Sequence, residues 1–215
     1  MKIAVLGGSF NPIHIGHLIL ADSVCKNLGY EKIIFVPAGL PPHKQMASNV
    51  SACDRLEMVK LAVSSDERFE TDSCEMDREG LSYTWDTICF LEEKYKTVLT
   101  GKLGLIFGED LMSDYDKWYR AEELAHKADL ILALRPETEG IKGEFQNESA
   151  GAFGKNPMKG VTRENFPYPH LKVENPKIDI SSSEIRQKVS ENGSWRYLVS
   201  EKVFDYIISR NLYAN

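Results

Sequence analysis

Two histidines three residues apart, His14 and His17, follow the glycine pair Gly7–Gly8 within the segment GGSFNPIHIGH (residues 7–17). At that spacing two imidazoles share a face of a helical first turn and can donate hydrogen bonds to one group. Glycines let main-chain amides approach a ligand with no side chain between. A helix starting here aims its N-terminal amides, with their partial positive charge, at the same spot. Gly16 leaves open space between the imidazoles. The chemistry this suits is the cradling of a phosphate. A second segment, ISSSEIR (residues 180–186), offers Ser181, Ser182 and Ser183 as helix caps and Glu184 in the first turn. Arg186 follows Ser183 by three residues, so hydroxyls, amides and a guanidinium can converge on one anion.

Simpler readings exist for each part. A glycine pair after a strand is commonly just a tight turn, and a serine run commonly just caps a helix. Two histidines at this spacing also make half a metal site, but no third ligand stands nearby in sequence. No metal is therefore expected among the protein's own ligands. Neither the dinucleotide fingerprint G-x-G-x-x-G nor the P-loop is present.

The elements that must position these residues alternate strand and helix, the pattern of a parallel sheet with right-handed crossovers. Ile3 to Leu6 forms a first strand, and His14 to Leu28 a helix stopped by Gly29. Lys32 to Pro37 reads as a buried strand. Ala38 to Ser51 is a polar loop carrying Pro41, Pro42, His43 and Lys44. Helices are expected over Asp54 to Ser64 and Thr84 to Tyr95, and core strands over Lys102 to Phe107 and Leu130 to Leu134. Residues 137–170 lack any sustained period and read as a long irregular excursion. A short strand near Leu171 to Val173 precedes helices over Ser182 to Val189 and Val199 to Ser209. The fold class expected is α/β, a Rossmann-like doubly wound parallel sheet, one domain spanning residues 1–215 with a helical C-terminal end. Ligands in such sheets bind at the carboxyl edge, here expected across the first strand and the Leu130–Leu134 strand.

Bulk properties are compatible with this picture. The chain has 215 residues, 42% of them hydrophobic and 27% charged, and a formal net charge of −6. An acidic balance argues against a broad nucleic-acid footprint. It still permits anionic small molecules where basic groups gather in one cleft. No apolar run approaches the roughly 20 residues of a membrane span. The first residues do not read as a leader, and Cys25, Cys53, Cys74 and Cys89 form no C-x-x-C pair, so a cytoplasmic protein with reduced thiols is expected.

Taken together, GGSFNPIHIGH resembles the HxGH signature of the nucleotidylyltransferase superfamily, with Phe10 and Pro12 in register, and ISSSEIR resembles its second motif with Ser183 in place of a threonine. Asn11 departs from the aspartate often found there, which is expected to alter hydrogen bonding rather than abolish activity. Further segments are similar to bacterial nicotinate-nucleotide adenylyltransferases: VPAGLPPHK (36–44), DRLEMVKLA (54–62), SYTWDT (82–87), FGEDLMSDYDKWYR (107–120) and YIISRNLY (206–213). The resemblance implies transfer of AMP from ATP to nicotinate mononucleotide, giving deamido-NAD and pyrophosphate in NAD biosynthesis. It implies catalytic roles for His14, His17, Lys44 and Arg186, and ATP contacts at Gly8, Ser9, Phe10, Gly16, Arg135, Ser181, Ser182 and Ser183. The acceptor would meet Thr84, Asp110 and Trp118, the tryptophan facing the pyridine ring. Mg²⁺ would come with the ATP phosphates, the partners being the two nucleotides, with a homo-oligomer left open. Asp54, Arg55 and Asp86 read as helix capping and ion pairs. A phosphopantetheine adenylyltransferase would share only the first and last motifs. A non-catalytic nucleotide sensor would need neither Lys44 nor a second anion site.

Overall fold

The computed structural model describes residues 1–39, 50–134, 165–174, 176 and 178–214. Lys44, Arg135 and residues 137–164 of the expected excursion lie outside them. Six strands form one parallel sheet: β1 (Ile3–Gly8), β2 (Lys32–Pro37), β3 (Phe69–Thr71), β4 (Gly104–Gly108), β5 (Asp129–Leu134) and β6 (His170–Glu174), in the spatial order β3-β2-β1-β4-β5-β6. The helices are α1 (Ile15–Leu28), α2 (Ala52–Val63), α3 (Thr84–Tyr95), α4 (Ala121–Lys127), α5 (Ser182–Ser190) and α6 (Glu201–Ser209). Two 3-10 segments, Glu109–Lys117 and Arg196–Leu198, complete the set.

Period-two alternation sorts the strand side chains into two cores. Ala4, Leu6, Ile33, Phe35, Ile106 and Ile131 pack on one face with residues of α1, α2, α5 and α6. Ile3, Val5, Ile34, Val36, Leu105 and Leu130 pack on the other with residues of α3, α4 and the first 3-10 segment. Helices thus cover both faces, as doubly wound parallel sheets require. The expected fold class is correct.

Strand order reverses between β1 and β4, whose residues pair directly from Ala4 opposite Gly104 to Leu6 opposite Ile106. That reversal is the switch point where such sheets open a crevice at their carboxyl edge. The carboxyl edge was expected to present ligand across the first strand and Leu130–Leu134; in the structure β4 lies beside β1 and β5, the Leu130–Leu134 strand, one position further out. The strand expected from Lys102 begins at Gly104, after a turn in which Gly101 has φ 77. Gly104 is held to glycine by packing: a Cβ there would lie 2.7 Å from Ile131 Cδ1 and 2.8 Å from the Tyr30 ring.

Helix boundaries follow their caps. Ser51 caps α2 by accepting from the Asp54 N–H at 3.0 Å, so the helix starts before the expected Asp54. Ser200 is extended, and α6 begins at Glu201 rather than Val199. The end of the expected excursion is ordered: Phe166 is buried against Tyr115 and Phe107, and β6 begins at His170. No helix among the described residues is long and apolar enough to cross a membrane.

Candidate active site

At the carboxyl end of β1 the chain passes through Gly7 and Gly8 into a loop ending at His14, the N-cap of α1. A Cβ on Gly7 would meet nothing within 4 Å, so this side of the loop is open. Phe10 adopts φ 45, a strained left-handed conformation for a side-chain-bearing residue, and turns its ring into the core. There it packs 5.9 Å from Phe35 and meets the His17 ring edge-on at 5.0 Å. Any part Phe10 has in ligand binding is therefore that of its main chain.

The two imidazoles stack with centroids 3.8 Å apart. The His14 main-chain N–H donates to His17 Nδ1 at 3.2 Å, so the His17 proton resides on Nε2. Burial lowers the pKa of His14 to about 4. Burial, and secondarily the neighbouring His14, pushes His17 well below its ordinary value. Both rings are neutral near pH 7. The open space expected at Gly16 is not there, because the His14 ring fills it: a Cβ at position 16 would lie 3.1 Å from that ring. Nδ1 of His14 is buried and has no hydrogen-bond partner among the described residues.

The first turn of α5 docks onto the same loop. Ser182 Oγ donates to the Pro12 carbonyl at 2.9 Å, and Arg186 Nη1 donates to the Asn11 carbonyl at 2.7 Å. Ser181 is the N-cap, its Oγ accepting from the Glu184 N–H at 3.1 Å. Ser183 Oγ accepts from Arg186 Nη2 at 3.1 Å. The Ser181 and Ser183 hydroxyl protons are not used in these bonds, whereas that of Ser182 is committed to Pro12. The two motifs read from the sequence are brought together. Asn11 is buried, and its Oδ1 accepts from the Tyr213 hydroxyl at 2.6 Å, a bond that an aspartate oxygen would also accept.

Across the switch point, the chain leaves β4 through Gly108 into the 3-10 segment. The Asp110 carboxylate folds back over Gly108, so closely that a Cβ there would collide with Oδ1. Trp118 ends this segment, half-buried and 5.2 Å from the Tyr115 ring. Thr84 opens α3. The Thr84 and Trp118 segments are joined by their neighbours: Tyr83 packs on Tyr119 at 4.8 Å, and the Arg120 guanidinium lies 4.1 Å from the Trp85 ring centroid. Among the described residues no group of three or more His, Cys, Asp or Glu has the geometry to hold a metal ion.

The family described as cytidylyltransferase-like matches residues 5–188. A Treponema pallidum protein named "Probable nicotinate-nucleotide adenylyltransferase" is 37% identical over the whole of both chains. A Borreliella afzelii protein of the same name is 35% identical, over all of this chain and 97% of its own. The chain belongs to the nicotinate-nucleotide adenylyltransferase family. A solved Plasmodium falciparum nicotinic acid mononucleotide adenylyltransferase, complexed with NaAD, covers 99% of this chain and 97% of its own with a TM-score of 0.72. At 20% identity that likeness is one of fold.

Arg55 of this family member was also misread in the sequence. Asp54 caps α2 as expected and also accepts from the Tyr206 hydroxyl at 2.8 Å. Arg55 makes no ion pair among the described residues; it is 2% exposed and donates from Nη1 to the Ser9 carbonyl at 2.9 Å. An arginine one step from a capping residue, among the apolar residues of an amphipathic helix, was the available signal.

Proposed function

We propose that this site transfers the adenylyl group of ATP to nicotinate mononucleotide, giving deamido-NAD and pyrophosphate, a step of NAD biosynthesis. Membership of the family supports the substrates. The observation that carries the site assignment is the docking of α5 on the β1–α1 loop through Ser182 and Arg186, which joins two anion-binding helix starts.

The mononucleotide 5′-phosphate is already anionic at pH 7, so it needs neither a general base nor a protein nucleophile. Its oxygen attacks the α-phosphorus in line. The new P–O bond forms as the bond to the bridging α,β-oxygen breaks, and pyrophosphate leaves with the electron pair. Such a reaction is limited by assembling two polyanions and by charge growing on the leaving group. His17 Nε2–H, His14, the α1 and α5 N-termini, the Ser181 and Ser183 hydroxyls and Arg186 would meet that charge. Gly8, Ser9 and Phe10 would contribute main chain, and Gly16 makes room for His14. Mg²⁺ enters as part of the ATP substrate and neutralises phosphate charge. Lys44 would add a cation to the phosphates and Arg135 would flank the adenosine. Trp118 would stack on the pyridine ring beside Thr84, with Asp110 at the junction of the two nucleotides.

The test is the initial rate of pyrophosphate release from ATP and Mg²⁺ with nicotinate mononucleotide, nicotinamide mononucleotide or phosphopantetheine as acceptor. The proposal expects strong preference for the first. Equal use of both pyridine nucleotides removes the specificity for the acid, and release with phosphopantetheine alone overturns the assignment.

A further inference from the structure

Four carbonyls of the β1–α1 loop are occupied by donors from elsewhere in the chain. The Gly8 carbonyl accepts from the Ala38 N–H at 2.8 Å, and that of Ser9 from Arg55 at 2.9 Å. Asn11 and Pro12 accept from Arg186 and Ser182 as described. A loop that receives an anion must keep its carbonyl oxygens, the negative ends of its peptide dipoles, off the ligand face. Of the four donors, Arg55 alone is a buried side-chain cation without a carboxylate partner among the described residues. Burying a guanidinium in that condition is costly, and stability alone gives little reason for it.

Peptide geometry says what the contact accomplishes. The Ser9–Phe10 bond is trans, so its C=O and N–H point in opposite directions. Fixing the Ser9 carbonyl toward Arg55 therefore fixes the Phe10 N–H away from it. The next residue, Phe10, holds the strained φ of 45, which persists only where the surroundings over-determine it. Nε of Arg55 is buried without a partner, so the guanidinium is held by packing and by this one carbonyl.

We infer that Arg55 is a positioning residue for the phosphate loop: it holds the Ser9 carbonyl on the core side, turns the Phe10 amide to the ligand face, and sets a fixed positive charge behind that amide. The inference rests on the reading of this loop as the ATP-phosphate site. Arg55 touches no reacting atom and acts through the loop alone.

The experiment compares wild type with Arg55→Met and Arg55→Lys, each checked by thermal melting. ATP and pyrophosphate affinities are read by calorimetry, and KM for ATP and for the mononucleotide by pyrophosphate release. Loss of a charge-assisted bond to the loop predicts that the Met variant binds ATP and pyrophosphate about tenfold more weakly or worse, with Lys between it and wild type. KM for the mononucleotide should stay within about twofold, since equal loss toward both substrates is what a merely structural residue would produce. A folded variant with unchanged ATP and pyrophosphate affinity overturns the inference. So does equal loss toward both substrates, or failure of both variants to fold, which would assign Arg55 to stability. A wild-type protein that releases no pyrophosphate with any acceptor would instead overturn the adenylyl-transfer reading, independently of how the variants bind.

Discussion

Near pH 7 the His14–His17 pair is uncharged, because burial lowers His14 to about 4 and lowers His17 as well. A neutral imidazole still donates through one N–H, so phosphate binding requires no prior protonation. The same burial sets an acid sensitivity. Below the unfolded value of about 6.5 the unfolded chain takes up a proton that folded His14 refuses until the pH nears 4. Stability is therefore lost as pH falls through that window, by roughly 3 kcal/mol from His14 alone. His14→Asn should lose less unfolding free energy in urea between about pH 7 and about pH 4.5 than wild type does. Equal losses would contradict the assignment. Lys44→Ala should slow pyrophosphate release by about 100-fold or more with the melting temperature retained, as removal of a transition-state charge partner does. Near-normal turnover in a folded variant would remove Lys44 from the site. Spacing made His14–His17 and Ser183–Arg186 legible, because i, i+3 neighbours share a face whatever the tertiary context. Arg55 was not legible: its partner, the Ser9 carbonyl, lies on another element, and a main-chain acceptor carries no sequence signal.

The longer elements and the short strand near Leu171 were read closely from period and caps, while β3, α4 and the 3-10 segments were missed. β3 has only Phe69, Glu70 and Thr71, too few residues for alternation to show, and it forms by pairing on the edge of β2. In the Glu109–Lys117 segment the buried residues are Met112 and Tyr115, a single i, i+3 pair, too short a stripe for the 3-10 period to show in the sequence. This segment ends at Trp118, so its unusual period decides where that ring sits. Among the strands, Gly104 tests the packing most directly. Gly104→Ala would drive a methyl between Ile131 and Tyr30, and overpacking of this kind costs about 1–3 kcal/mol. Urea unfolding should show that loss; an unchanged midpoint would mean that the sheet yields at this point.

Over the whole molecule, the sheet's reversal at β1 and β4 puts two loops of different chemistry side by side: histidines and serine-capped α5 on one, Asp110 and Trp118 on the other. Alternating strand and helix patterns made the doubly wound fold legible, but not the order of strands. The Leu130–Leu134 run looks as apolar as β4, and only pairing decides which lies beside β1. Tyr206, Arg210 and Tyr213 converge on Asp54 and Asn11, tying this last segment to α2 and the β1–α1 loop. The central claim is a single adenylyl transfer across this junction. It is tested by supplying ATP labelled at the α-phosphate with nicotinate mononucleotide and following the label. Label should be recovered in nicotinate adenine dinucleotide, one for each pyrophosphate released, with none retained on the protein. Label held covalently by the protein, or released only as free AMP, would contradict it.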